Sequence, residues 1–334
     1  MAKKENCNSC EKFKTMIGGQ ALIEGIMMRG PEKDAIVCRT AEGLKLEVSD
    51  RKIPKAGSPL KWPLIRGVVN FFDSQVTGVR ALLRSADLSP EGALEEDPSK
   101  LDQWLEKKLG NERFQQYLIY GAAVLGLVMS IGIFFLLPMI VSGFFYGIVE
   151  SMIGINLIEG LVRMILFVAY MVLVSRMGEM KRLFAYHGAE HKTIRCYEAQ
   201  LPLTVENVRK QTRMHPRCGT SFLLVVMILS ILVFSVASSA LLEFVPGLEA
   251  MCGSFVYRLI MIGFKLLMLP LVVAIAYEIN RWVGRHDNAF SRILTAPGLW
   301  MQNFTTNEPD DSMIEVAIAA VKAVLPEQEG ADAW

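Results

Sequence analysis

Four long blocks of this chain carry almost no charge, and that constrains its fold more than any other feature. They run Tyr117–Val149, Leu157–Ser175, Thr220–Val245 and Phe255–Ile279. A bilayer core about 30 Å thick takes roughly 20 apolar residues as an α-helix, which satisfies its own backbone polar groups without water. Each block approaches or exceeds that length. The first is the longest, and its Pro138 and glycines allow one span plus a kink or an interfacial exit. Hydrophobic residues make up 52% of the chain and charged ones 21%, with the charge crowded between the blocks rather than spread as in a soluble enzyme. The expectation is a mainly α, four-span helical membrane protein with a small cytoplasmic α+β portion.

Basic residues set the orientation. Lys100, Lys107, Lys108 and Arg113 precede the first block, and Arg281, Arg285 and Arg292 follow the fourth. The segment 176–219 holds nine Lys and Arg residues, whereas 150–156 and 246–254 hold none. Cationic loops stay in the cytoplasm, so both termini and the 176–219 loop are expected inside. Cysteines there meet a reducing environment and are better suited to bind metal than to form disulfides. A net charge of +1 gives no global attraction to nucleic acid, and none is expected as a partner.

Outside the blocks the chain divides further. Residues 1–16 form a charged leader, too polar for a signal peptide, in which Cys7-x-x-Cys10 lacks the second half of a zinc ribbon. Residues 17–58 read as a small cytoplasmic β element. It opens with the apolar run Gly18–Gly30, interrupted by Glu24, and continues as a hairpin of 35–40 and 44–48 about Ala41-Glu42-Gly43. Glu24 would either point to solvent or be a buried acid near the histidines. Residues 60–88 have an amphipathic helical period, for a helix lying on the membrane or packed on the bundle. An acidic linker and pre-membrane helix cover 89–116, the four-helix region 117–279, and a cytoplasmic tail 280–334. In the tail, 296–302 reads as a turn and Asp311 or Ser312 as the cap of a last helix ending near Val324. Lys265 lies well inside the fourth block, where an ammonium needs a partner such as Glu159 or Glu243, or must snorkel.

The chemistry concentrates in Tyr186-His187-Gly188-Ala189-Glu190-His191-Lys192-Thr193 and Met214-His215-Pro216-Arg217-Cys218-Gly219. The second block is helix-compatible to about Ala199, which makes His187 and His191 one turn apart on one face with Glu190 beside them. Converging imidazoles suit a divalent metal, with His215 or Cys218 completing a tetrahedron and Glu198 or Glu278 as further ligand candidates. Zinc is the first choice. The local order His-x-x-Glu-His is that of the inverted zincins, in which the histidines bind zinc and the glutamate activates water. On that pattern His187 and His191 are ligands and Glu190 the catalytic base. Three arrangements stay open: a structural metal closed by His187, His191, His215 and Cys218; a catalytic one using three of them; or histidines that bind no metal.

These motifs, with Gly18-Gly19-Gln20-Ala21-Leu22-Ile23-Glu24-Gly25-Ile26-Met27-Met28-Arg29-Gly30, Pro297-Gly298-Leu299-Trp300 and Glu308-Pro309-Asp310-Asp311, resemble those of the YqhQ-like bacterial membrane family over nearly the whole chain. That family is catalogued as a domain of unknown function and described as a predicted metal-dependent enzyme. The resemblance implies a multi-pass protein of the bacterial inner membrane. The leading expectation is a cytoplasm-facing metal site, as in a hydrolase acting on a membrane-associated protein or lipid. A non-catalytic scaffold with a structural metal is the rival, and a small transporter the third reading.

Overall fold

A computed structural model describes residues 13–51, 53, 54, 57–88, 121, 124–145, 147–149, 151–328 and 330–333. Cys7, Cys10, most of the leader and the acidic linker lie outside the described residues. The chain divides into two units, one of residues 1–89, 174–222 and 278–334, the other of 90–173 and 223–277.

In the first unit, β1 (Gly18–Leu22), β2 (Gly25–Arg29), β3 (Lys33–Thr40) and β4 (Gly43–Asp50) form an antiparallel sheet in sequence order. The apolar run 18–30 is not continuous: it folds back at Ile23-Glu24, pairing Leu22 with Gly25. Glu24 supplies the left-handed residue of that turn, with φ 49°, a role in which glycine or asparagine would be the usual signal. The β3–β4 hairpin follows its sequence cue, with Gly43 at φ 125°.

Side chains alternate across the sheet. Ile26 and Met28 join Ala35 and Val37 in a core with Tyr186, Ala189, Ala317 and Val321. Met27 points the other way, to Leu22 and Ala81. Ala81 belongs to α1 (Ile65–Leu88), which buries Gly67, Gly78, Ala81 and Ser85. A Cβ at Gly78 would collide with the Gln20 amide. The larger apolar residues of α1, Phe72, Val76, Val79 and Leu83, stay exposed. Within this unit α1 therefore docks on the sheet by its small residues, a face the apolar period does not pick out.

The four apolar blocks become α2 (Val124–Gly143), α3 (Met152–Val174), a helix from Gly219 to Phe244, and one from Leu248 to Arg285. Between the second and third, α4 (Gly178–Glu198) and the short α5 (Val205–Arg209) carry the polar loop. The helices Gly219–Phe244 and Leu248–Arg285 are α6 and α7. They are followed by α8 (Ala289–Thr305) and α9 (Asp311–Val324). The second block does not run unbroken to Ala199; the helix stops at Val174 and restarts at Gly178. The stretch 296–302 is not a turn. Asn288 and Ser291 form a capping box, and α8 passes through Pro297-Gly298. Gly298 is required there, since a Cβ would overlap Ser221. The cap of α9 is Asp310, accepting from the Met313 N–H at 2.9 Å.

All four blocks form helices long and apolar enough to cross a membrane, and only 11–33% of the residues in their most apolar windows are buried. Most of their apolar side chains thus face outward, the reverse of a soluble core. Inside the second unit, α2 has a π-helical turn at Gly132–Leu136. Pro138, four residues beyond Phe134, has no N–H for the Phe134 carbonyl. Arg163 Nε donates to that carbonyl instead, at 2.7 Å, and its guanidinium lies 4.9 Å from the Phe135 ring centroid. Arg163 also meets Glu159 Oε1 at 2.7 Å, while Lys265 Nζ meets Glu159 Oε2 at 2.6 Å. Lys265 is therefore not snorkelling: it is buried and paired with Glu159.

Candidate metal centre

Helix α4 presents His187, Glu190 and His191 on one turn because its neighbours there are small or tied down. Gly188 lets the backbone at Asn307 approach so closely that a Cβ would overlap the Asn307 carbonyl. Asn307 N–H donates to the Phe184 carbonyl at 2.8 Å, and Ala189 is fully buried under the sheet. The chain after α8 is thus pinned along α4 beside the first histidine.

That contact fixes the tautomer of His187. Its Nδ1 lies 2.7 Å from the Thr305 carbonyl oxygen. A carbonyl only accepts, so Nδ1 carries the proton in the neutral ring. His191 repeats the device, with Nδ1 2.6 Å from the Arg213 carbonyl oxygen. Both Nε2 atoms are left as donors to a metal, the usual outer-shell arrangement for ligating imidazoles.

Cys218, the residue before α6, completes the group. Its Sγ lies 3.2 Å from His187 Nε2 and 3.3 Å from Thr220 Oγ1. One ligand atom from each of His187, His191 and Cys218 falls within 4.8 Å of the other two. Tetrahedral zinc with bonds of about 2.1 Å to nitrogen and 2.3 Å to sulfur sets its donors roughly 3.4–3.6 Å apart. The residues present fit a divalent ion of that kind.

His215 stands beside the group and is not part of it. Its ring centroid is 5.5 Å from that of His191, and its Nε2 faces Glu198 Oε2 at 3.4 Å. Glu198 also pairs with Arg217 and accepts from the Thr15 N–H at 3.0 Å. The His215 backbone is clamped by fully buried Gln302, whose Oε1 accepts from His215 N–H and whose Nε2 donates to the His215 carbonyl, both at 2.8 Å. Gln302, Thr305 and the Arg213 carbonyl are thus supports of the site that sequence reasoning missed. Only the Pro297-Gly298-Leu299-Trp300 motif, one turn before Gln302, hinted at them.

Glu190 is 4% exposed. Its Oε1 accepts from the Gly19 N–H at 2.8 Å, and its Oε2 is buried with no hydrogen-bond partner among the described residues. Glu24 is half-buried rather than pointing to solvent: it binds Arg182 and accepts from the hydroxyl of Tyr186, the residue before His187, at 3.1 Å. Glu278 pairs with Arg66.

Electrostatics follow burial and pairing. Burial opposes charge on Cys218, yet the two imidazoles beside it hold the thiol well below its ordinary range. Burial likewise works against a charged His187, and the Cys218 sulfur overrides it, raising the imidazole to about 9. Glu190 is pushed up by burial, with His191 and His187 pulling back. Burial pushes His215 down to about 4, against the pull of Glu198.

Comparison with known proteins places these features in a family. The model of the family described as "Protein of unknown function (DUF1385)" matches residues 62–327. Over 333 residues the chain is 30% identical to "Uncharacterized protein YqhQ" of Bacillus subtilis (strain 168), covering 95% of this chain and 94% of that protein. No solved structure matches. The match runs from the start of α1 past the end of α9, and the chain belongs to the YqhQ-like DUF1385 family.

Proposed function

We propose that the chain is a multi-pass protein of the bacterial cytoplasmic membrane with both termini inside. On this reading His187, His191 and Cys218 bind a divalent metal, zinc by donor type, and Glu190 acts as general base in a hydrolytic reaction. The carrying observation is that both imidazoles give Nδ1–H to backbone carbonyls, at 2.7 and 2.6 Å, which leaves Nε2 without a backbone partner, and that Cys218 joins them as a third donor within 4.8 Å. The cationic 176–219 segment supports the cytoplasmic side.

When bound, such an ion supplies Lewis acidity. Three protein donors with the fourth place left over are the pattern of catalytic rather than structural zinc. That His215 turns to Glu198 supports this over a closed four-ligand site. Gly19 N–H holds Glu190 Oε1, so the carboxylate presents Oε2 as the atom to take a proton from water. Its raised pKa brings it toward the range useful for a general base. Cys218 adjoins α6, itself one of the spans on this reading, which suits a substrate held at the membrane, a protein or a lipid.

A second reading rests on the 3.2 Å His187–Cys218 contact: a thiolate–imidazolium pair is also the arrangement of a nucleophilic cysteine. Metal analysis separates the two. The purified wild type should carry about one zinc per chain, and His187→Ala or Cys218→Ser almost none. Glu190→Gln should keep the metal and fail to complement a deletion strain. Wild-type protein without metal, alkylated at Cys218 by iodoacetamide at mildly acidic pH, would favour the nucleophile and overturn the metal reading.

A further inference from the structure

The second unit contains a cavity of about 330 Å³ that the metal site does not use. Met139, Met152 and Met261 give it apolar walls, and Glu159, Lys265, Arg258, Asn156 and Ser238 add polar groups. Arg258 and Lys265 are seven residues apart on α7, so they lie on one helix face about 10 Å apart along the axis. Arg258 is half-buried and Lys265 buried. The cationic stripe therefore runs inward from the rim of the cavity.

Charge in this cluster does not balance. Glu159 is the one carboxylate among the described lining residues, and both of its oxygens are taken, Oε1 by Arg163 and Oε2 by Lys265. Among the described residues of the cluster, three cations (Arg258 and Lys265 in the lining, Arg163 behind Glu159) stand against one carboxylate, an excess of two positive charges. A second observation is independent of charge. On α6 the hydroxyls of Ser230, Ser235 and Ser239 donate to carbonyls three or four residues back, the ordinary solution for serine in an apolar helix. Ser238, equally on α6, is fully buried, lines the cavity, and its Oγ has no partner among the described residues. An unused buried donor thus lies in the same lining as Lys265 and Arg258.

We propose that this cavity binds a phosphate group, with Arg258 at its rim, Lys265 deeper inside, and the Ser238 hydroxyl donating to it. Phosphate offers several acceptor oxygens and a charge that matches the surplus, and the methionine walls suit the glycerol and first methylenes of an amphiphile. The cavity lies at the end of the helices joined by 144–151 and by 245–247. On the orientation above, that end faces outward, so an outer-leaflet anionic lipid headgroup is one source and free phosphate the other. The inference rests on the membrane reading and not on the metal.

The full chain is first tested for retention in membranes washed at alkaline pH, which judges the spans separately. It is then purified from vesicles of phosphatidylcholine and phosphatidylglycerol into neutral detergent, and bound lipid is read by native mass spectrometry. The wild type should retain phosphatidylglycerol over phosphatidylcholine. Arg258→Gln and Ser238→Ala should each weaken that retention about five-fold or more, the scale of one lost charge-assisted hydrogen bond, while Arg258→Lys keeps it. Inorganic phosphate that raises the thermal midpoint of the wild type but not of Arg258→Gln, without lipid retention, would assign the site to the free ion. Equal retention of both lipids, with no effect of phosphate on the midpoint, would overturn the proposal, as would unchanged binding in both variants.

Discussion

Gly19 donates its backbone N–H to Glu190 Oε1 at 2.8 Å, and a Cβ on Gly19 would lie 3.1 Å from the Glu190 carboxyl carbon and 2.6 Å from the Met27 carbonyl oxygen. The first strand of the sheet is thus the backstop of the acid beside the candidate metal ligands. A side chain there must displace either β2 or the carboxylate. Gly19→Ala should cost about 1–3 kcal/mol by overpacking, lowering the thermal midpoint measured in detergent. It should also reduce function more than Gly18→Ala, because a Cβ at Gly18 meets nothing within 4 Å. Equal behaviour of the two variants would remove Gly19 from the site.

Gln302 holds the His215 backbone through both its amide atoms and also donates to Ser221 Oγ at 3.2 Å. Truncation leaves a buried N–H and carbonyl without partners, at about 1–3 kcal/mol for each unsatisfied group. The loop carrying Arg213 and Cys218 would loosen. Gln302→Ala should therefore release metal to a chelator at roughly 10–100-fold lower concentration than the wild type, the usual scale for an outer-shell support. Competition with a chromophoric chelator measures it. Unchanged affinity would mean that the clamp serves stability alone.

How much of this was legible in the sequence depended on whether the cause was local. Four apolar blocks, the β3–β4 hairpin with its glycine, and the His187–Glu190–His191 face are local patterns, and each stands in the structure. The Glu24 turn was hidden because a glutamate occupies a left-handed position without any glycine signal. Pro297-Gly298 read as a turn because that dipeptide usually is one; the Asn288–Ser291 capping box was the better guide, and Gly298 serves a close helix approach. On α1 the apolar period marks the residues left exposed, Phe72, Val76, Val79 and Leu83, while the face on the sheet is selected by packing space at Gly78 and Ala81, which no hydrophobic period marks. In the site, Cys218 joins the histidines while His215, nearer in sequence to α4, is drawn off by Glu198. That choice depends on Arg217 and Thr15 as well, and no spacing rule contains it.

Asp310 gives a pH dependence outside the candidate metal cluster. Burial raises its carboxyl, but bonds from Ser312 and from the Met313 N–H, with Arg182 nearby, hold it below the ordinary value. The sign follows from a depressed folded-state value. The stabilising contribution is present above the ordinary carboxylate range and is lost as pH falls through the lower, folded value. Asp310→Ala should cost about 1 kcal/mol at neutral pH as a lost helix cap, and the deficit relative to the wild type should shrink in acid. Thermal melts across acid pH test this; a deficit that stays constant or grows would show that the charge is not what caps α9.

Glu159 and Lys265 are partners of unequal importance. Lys265 has one carboxylate, at 2.6 Å, whereas Glu159 serves Lys265 and also Arg163, at 2.7 Å. Removing one member of a buried pair costs about 3–5 kcal/mol, chiefly because the other charge is left without compensation. Lys265→Met leaves Glu159 with Arg163, so the remaining charge is still matched. Glu159→Gln leaves Lys265 and Arg163 as two buried cations facing a neutral amide. The glutamate variant should therefore melt at the lower temperature of the two, and adding Lys265→Met to it should recover part of the loss, because one of the stranded cations is then gone. Thermal unfolding of the three proteins in neutral detergent decides the matter. If Lys265→Met proved the more damaging single change, charge matching through Glu159 would not be what sets the stability of this cluster.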